Sequence, residues 1–380
     1  MSPFKLPNVG TTIFTTLSRR ATELGAVNLG QGFPDFEPPG RLRDLVAHHL
    51  GARHNQYAPM AGVPRLLDQI AAKVARLHGV ALEPAAEITV TAGGTEAVFC
   101  AITAVVHPGD EVILLDPAFD CYAPAVELSG GRTVRVPLRL PDFSIDCDAL
   151  GRALSPRTRL VVVNTPHNPS GALVSADDWR RLAALLEGTD ALVLSDEVYE
   201  HLVFDGCRHA SVLAEPRLRP RAFAVFSFGK VFNATGWKVG YCVAPPALTD
   251  ALRRVHQFVT FSVSSAVQWA LADYLEEDPG WGGRLAAFYQ ERRDRFAALL
   301  AGSRFSWVPS AGTYFQLLDY TAVSDADDLD FCRTLLEEHR VAAIPVSHFC
   351  ERPLPARLLR FCFAKSDETL ELAAERLRRA

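Results

Sequence analysis

The chain has 380 residues, 48% of them hydrophobic and 22% charged, with a formal net charge of −5. That mix describes a folded chain long enough for more than one domain, and it excludes both a disordered polymer and a strongly basic nucleic-acid binder. Mean hydropathy is only +0.07, and no run of about 18 apolar residues is present to span a bilayer.

From the amino end, Met1–Phe14 lacks a basic stretch followed by an apolar one, so a mature cytoplasmic chain is expected. Gly30–Gly40 is rich in Gly and Pro and reads as a loop. Seven short apolar, β-branched runs follow: Glu87–Thr91, Glu111–Leu115, Thr133–Pro137, Leu160–Val163, Leu192–Ser195, Phe223–Ser227 and Val239–Val243. Helical patterns at Glu96–Val106, Asp177–Leu186 and Pro246–Phe258 separate several of them. Continuous apolar strands alternating with helices predict a largely parallel sheet covered on both faces, an α/β domain whose function lies at the carboxyl ends of strands. After about residue 270 the texture becomes mixed. Helices are expected over Arg284–Leu300, Leu329–His339 and Glu368–Arg378, and strands over Thr313–Leu318 and Leu358–Phe363. The expected division is an N-terminal arm with part of a small domain (1–40), a large domain (41–270) and a smaller α+β C-terminal domain (271–380). The eight cysteines include no C-x-x-C pair and several sit in apolar runs, so they read as buried free thiols and no metal site is expected.

Three polar motifs each follow an apolar run. They are Asn164-Thr-Pro-His-Asn-Pro169, Ser195-Asp-Glu-Val-Tyr199 and Ser227-Phe-Gly-Lys230, the last with Lys238 close behind it. If the strands are parallel neighbours, amides, an acid, a phenol and two lysines converge at one sheet edge. Such a set suits a carbonyl cofactor of the pyridoxal phosphate kind. A lysine that gives up its proton readily can form a Schiff base, and a carboxylate at the end of a buried strand can pair with a ring nitrogen. Thr91-Ala-Gly-Gly-Thr-Glu96 supplies strand, glycine turn and helix start, the arrangement that holds phosphate. Ser227 and Lys238 would close that phosphate site.

These motifs, with Asn28-Leu-Gly-Gln-Gly-Phe-Pro-Asp-Phe36, Asn55-Gln-Tyr-Ala-Pro59, Thr235-Gly-Trp-Lys-Val-Gly-Tyr241 and Arg360-Phe-Cys-Phe363, resemble those of the class I aminotransferases of fold type I. The narrower likeness is to bacterial methionine aminotransferases and kynurenine aminotransferases, and it covers nearly the whole chain. The resemblance implies pyridoxal 5'-phosphate as cofactor, and a seven-stranded, mostly parallel sheet in the large domain. It implies that Lys230 binds the cofactor and shuttles the substrate proton, and that Asp196 pairs with the pyridine nitrogen. It further implies that Tyr199 and Asn168 bond the phenolic oxygen, that Phe119 stacks on the ring, and that Gly94, Thr95, Ser227 and Lys238 hold the phosphate. Arg360 would clamp the substrate α-carboxylate, helped by Asn164 and the Gly32 backbone. A homodimer with shared sites is implied as well: Tyr57 would reach the partner's phosphate and Phe261 would line the partner's pocket.

The substrate pocket implied by the resemblance contains Phe14, Tyr57, Phe119 and Phe261, with Phe349 nearby, and no second arginine. A dicarboxylate would leave a charge unpaired there. An apolar, sulfur-containing or aromatic amino acid is therefore expected: methionine, phenylalanine or tyrosine, with glutamine and kynurenine as further candidates and a 2-oxo acid as acceptor. Ser262, Thr95 and Phe14 depart from the residues usual in animal kynurenine aminotransferases, while Gln56-Tyr-Ala-Pro-Met-Ala-Gly62 and Thr95 resemble the bacterial group more. The same lysine, aspartate and tyrosine would also serve a β-eliminating lyase acting on cysteine S-conjugates. A nicotinamide oxidoreductase and a serine hydrolase are disfavoured, since neither G-x-G-x-x-G after a strand nor G-x-S-x-G is present.

Overall fold

A computed structural model describes residues 5–7 and 9–380; part of the leader reading of Met1–Phe14 falls on residues outside these. After a helix over Ile13–Leu24, capped by the Thr12 hydroxyl, comes a short strand β1 (Val27–Asn28). The central sheet follows as β2 (Ile88–Thr91), β3 (Glu111–Asp116), β4 (Arg132–Pro137), β5 (Thr158–Asn164), β6 (Leu192–Asp196), β7 (Ala222–Ser227) and β8 (Gly240–Val243). Its spatial order is β2-β8-β7-β6-β5-β3-β4. Strands β4, β3, β5, β6 and β7 are mutually parallel, and β8 runs antiparallel to both β7 and β2. All seven apolar runs are thus strands of one α/β sheet. They read as unbroken hydrophobic runs because helices cover both faces, as the full burial of β7 shows. Each such buried aliphatic or aromatic side chain stabilises by about 1.5–3 kcal/mol.

A second group of strands comprises β9 (Phe315–Asp319), β10 (Val341–Ala342), β11 (Ile344–Pro345) and β12 (Leu358–Cys362). β11, β12 and β9 form an antiparallel sheet, while β10 pairs in parallel with β1. The amino-terminal segment is therefore stitched to late sequence. Helices over Trp281–Leu299, Asp328–Glu337 and Asp367–Leu377 pack around these strands, the last two started by Asp327 and Ser366 side-chain caps.

Two strands start later than their apolar runs suggest. Lys238 lies at φ 54° and Thr313 at φ 67°, so the extended backbone begins only at Gly240 and Phe315. Helices over Gly40–Gly51, Pro64–His78 and Ser265–Glu277 lie outside the patterns read from the sequence. None of the three has a side-chain cap hydrogen bond at its start. No helix among the described residues is long and apolar enough to cross a membrane.

Candidate active site

Sheet topology decides what meets at the carboxyl edge. Asn164, Asp196 and Ser227 end the adjacent parallel strands β5, β6 and β7. Because β8 runs the opposite way, its start lies at this same edge and delivers Lys238. The β2 strand ends there too, with Thr91 paired to Gly240, and leads through Gly93 into the helix Gly94–Val105. Gly93 has φ 84°, and an ideal Cβ on it would lie 3.4 Å from the Lys238 Nζ. Gly240 permits a closer approach still: a Cβ there would stand 2.6 Å from the Phe226 carbonyl oxygen and 3.0 Å from the Gly94 nitrogen. The twelve-residue helix thus opens onto the edge with no side chain capping its first N–H groups and a lysine amine beside them.

The result is a cavity of roughly 270 Å³. Of the residues singled out from the sequence, Lys230, Asp196, Tyr199, Gly94, Thr95, Phe119, Asn168, Ser227, Lys238, Arg360, Asn164, Gly32 and Phe14 all line it. Phe349 does not line it but packs against Arg360 and Phe14, at 5.2 Å from the guanidinium carbon and 6.0 Å between rings. Tyr57 and Phe261 are elsewhere on the surface, 84% and 45% exposed, with their rings edge to face at 5.4 Å. Neither lines the cavity, and they are not core aromatics either.

Asp196 is buried at the cavity floor. The Tyr122 hydroxyl donates to its Oδ2 at 2.6 Å and the Val198 N–H to its Oδ1 at 3.3 Å. Burial lifts its carboxyl to about 6, although Tyr122, Val198 and the nearby Lys230 pull the other way. Lys230 lies beside the rings of Tyr199 and Tyr314, its Nζ 5.7 Å from each centroid and 3.4 Å from the Gly32 carbonyl. Burial brings its amine down to about 8, and the neighbouring Lys238 and Arg360 charges act in the same direction. A deprotonated amine is therefore accessible near neutral pH.

Arg360 enters from β12 and is almost wholly buried. Its Nη1 donates to Asn168 Oδ1 at 2.8 Å and its Nη2 to the Gly30 carbonyl at 2.9 Å, while its Nε has no partner. The guanidinium stacks 4.0 Å above the Phe315 ring. Asn164 holds the surrounding loop: its Nδ2 donates to the Asp196 carbonyl and its Oδ1 accepts from the Asn168 N–H. A buried guanidinium with an idle N–H is suited to an anionic oxygen arriving with a ligand.

These residues fit pyridoxal phosphate on structural grounds. The uncapped helix start and Lys238 suit its phosphate, Asp196 its ring nitrogen, and the partly deprotonated Lys230 its carbonyl. The cavity residues Tyr122, Asp120 and Phe315, and Tyr314 beside Lys230, are not marked by the sequence motifs. The first two were within reach. The loop after β3 obeys the same rule as those after β5, β6 and β7, a polar segment at the carboxyl end of a buried parallel strand. Tyr314 and Phe315 carry no such signal, since they precede and begin a strand of the other sheet.

A family model described as aminotransferase class I and II matches residues 25–377. The methionine aminotransferase of Escherichia coli is 52% identical over 374 residues, spanning 98% of this chain and 97% of the relative. A solved Escherichia coli structure with that function superposes with a TM-score of 0.97 at 51% identity, covering 100% of both chains. The N-succinyldiaminopimelate aminotransferase structure from Mycobacterium tuberculosis gives 0.96 at 39% identity, also over 100% of both. Mouse kynurenine–oxoglutarate transaminase 1 is 34% identical over 398 residues, spanning 96% of this chain and 93% of the relative.

Proposed function

Because this chain belongs to the family of class I and II aminotransferases, we propose that it moves the amino group of methionine, or of an aromatic amino acid, to a 2-oxo acid. The cofactor of the family is pyridoxal 5'-phosphate. When bound, this group supplies a carbonyl that condenses with amines and a ring that draws off the electron pair released at the substrate Cα.

The chain's own residues divide the remaining work. Asp196 would pair with the ring nitrogen, and the Tyr122 hydroxyl orients that carboxylate by donating to its Oδ2. Gly94, Thr95, Ser227 and Lys238 hold the phosphate. Tyr199 and Asn168 would bond the phenolic oxygen, and Phe119 would stack on the ring. With the cofactor bound, Lys230 would be the base that takes the proton from the substrate Cα and the acid that gives it back. It can do so because burial has already brought its amine close to the working pH. Arg360 would receive the α-carboxylate, with Asn164 and the Gly32 backbone fixing that end of the pocket. Phe14 borders the side-chain end.

The observation that carries the substrate class is that Arg360 is the one arginine lining the cavity among the described residues. It serves the α-carboxylate, so within one chain a second substrate carboxylate has no arginine to meet. The 52% identity to a methionine aminotransferase over nearly the full length supports the same class. A panel of donors tests it with the cofactor-loaded enzyme. Methionine, phenylalanine and tyrosine should exceed aspartate in kcat/KM, with glutamine and kynurenine as further candidates; aspartate turning over fastest would overturn the assignment. Elimination is the second reading, since Lys230, Asp196 and Tyr199 serve it equally. Pyruvate and ammonia formed from a cysteine S-conjugate faster than amino transfer from methionine would favour that reading.

The working unit in this reading is a cytoplasmic homodimer. Its arm (1–40), large domain (41–270) and small C-terminal domain (271–380) would enclose each site. Tyr57 and Phe261 complete the site of the partner subunit. Their exposure supports this, together with that of Phe258, which is 85% exposed on the adjoining helix.

A further inference from the structure

Asp120 lies on the loop between β3 and the helix Tyr122–Leu128, between the ring of Phe119 and the Asp196 partner Tyr122. It lines the cavity, yet among the described residues no side chain gives its carboxylate a hydrogen bond or an ion pair. Two groups nearby can carry positive charge, Arg360 and His348. Arg360 is committed to Asn168, to the Gly30 carbonyl and, in the proposed reaction, to the α-carboxylate. His348 stands edge-on to Phe14 at 6.0 Å and to Phe349 at 5.8 Å, and this partly buried apolar setting favours its neutral form. Phe14 and Asp120 thus line the same cavity, and no free cation balances the acid.

We propose that Asp120 sets the charge specificity of the side-chain pocket: its carboxylate repels a distal carboxylate on either the donor or the acceptor. This rests on the aminotransferase reading above and extends it to the second half-reaction. One pocket receives both substrates in turn, so the charge that rejects glutamate or aspartate as donor rejects 2-oxoglutarate as acceptor. The acceptor is then a monocarboxylic 2-oxo acid with a neutral side chain. Apolar walls alone discriminate by leaving a charge unpaired, whereas a like charge adds direct repulsion in a poorly solvated space.

The test compares Asp120→Asn with wild type, both loaded with cofactor, on two pairs of substrates. The donors are methionine and glutamate; the acceptors are the 2-oxo acid of methionine and 2-oxoglutarate. Removing the charge without changing the shape should raise the kcat/KM ratio of dicarboxylic to monocarboxylic substrate by about tenfold or more in both halves. Asp120→Glu, which keeps the charge, should leave that ratio low. The cofactor's absorption offers a readout independent of turnover. Titrated with glutarate and with butyrate, the Asn variant should gain affinity for glutarate alone. A ratio that stays within about twofold of wild type while methionine still turns over would overturn the role of Asp120 and leave the aminotransferase reading intact. An enzyme that turns over none of the donors would overturn both.

Discussion

Asp196 and Lys230 carry opposite titration problems solved by the same burial. The carboxyl is pushed up to about 6 and the amine down to about 8, so above pH 6 the acid is ionised while the amine begins to lose its proton near 8. Asp196→Asn cannot hold a proton on a ring nitrogen, and kcat should fall by about 100-fold or more with weaker cofactor retention. Full activity in the purified variant would remove Asp196 from the mechanism. For Lys230 the sign is definite. A lysine whose folded value lies below its unfolded one is neutral in the folded chain over a window where the unfolded chain still binds a proton. Stability therefore rises with pH across that window, from about 8 toward the ordinary lysine value. The rate at which cofactor-free protein takes up pyridoxal phosphate should likewise climb with a midpoint near 8, followed by absorbance after rapid mixing. A midpoint near the ordinary lysine value would show that burial does not act on this amine. At this scale the sequence was informative wherever a polar group followed a β-branched run. Tyr122 obeyed that rule and was overlooked, whereas Tyr314 became visible only when its ring appeared beside Lys230.

At the scale of elements, the site depends on β2, β7 and β8 being close enough to bring a helix start against a strand. Gly240 makes this approach possible, for a Cβ there meets the Phe226 carbonyl, the Gly93 carbon and the Gly94 nitrogen, all backbone atoms that cannot swing aside. Gly240→Ala should therefore cost about 1–3 kcal/mol in a denaturant melt and weaken cofactor binding more than an equally destabilising change far from the sheet edge. Unchanged affinity would mean that the helix start can shift without loss. The parallel strands were legible because both of their faces are buried. The starts of the antiparallel strands β8 and β9 were not, since Lys238 and Thr313 before them adopt positive φ. The helix Pro64–His78 also went unread, although its apolar face is well marked. It begins at a proline after Val63, with no Ser, Thr, Asp or Asn to announce it.

At the scale of the whole molecule, residues far apart in sequence close one cavity. Arg360 bonds Asn168 across 192 positions and the Gly30 carbonyl across 330. Motif spacing could not reveal those pairings, and the resemblance to known aminotransferases was what directed attention to Arg360. The proposed dimer has Tyr57 and Phe261 completing the partner's site. If so, two defective variants should repair each other. Lys230→Ala and Tyr57→Ala, unfolded and refolded together, should regain about a quarter of the native sites, since half the dimers are mixed and each holds one intact site. Activity no greater than the sum of the separate variants would place Tyr57 outside the partner's site.

The central claim is that Lys230 holds pyridoxal phosphate and exchanges it with an amino-acid substrate. Its most direct test is the visible absorption spectrum of the purified protein with pyridoxal phosphate, recorded before and after methionine and then after a 2-oxo acid. The expected result is a band of lysine-bound cofactor that methionine shifts to the amine form and the 2-oxo acid restores, with the initial band missing in Lys230→Ala. No band in the wild-type protein, or the same band in Lys230→Ala, would contradict it.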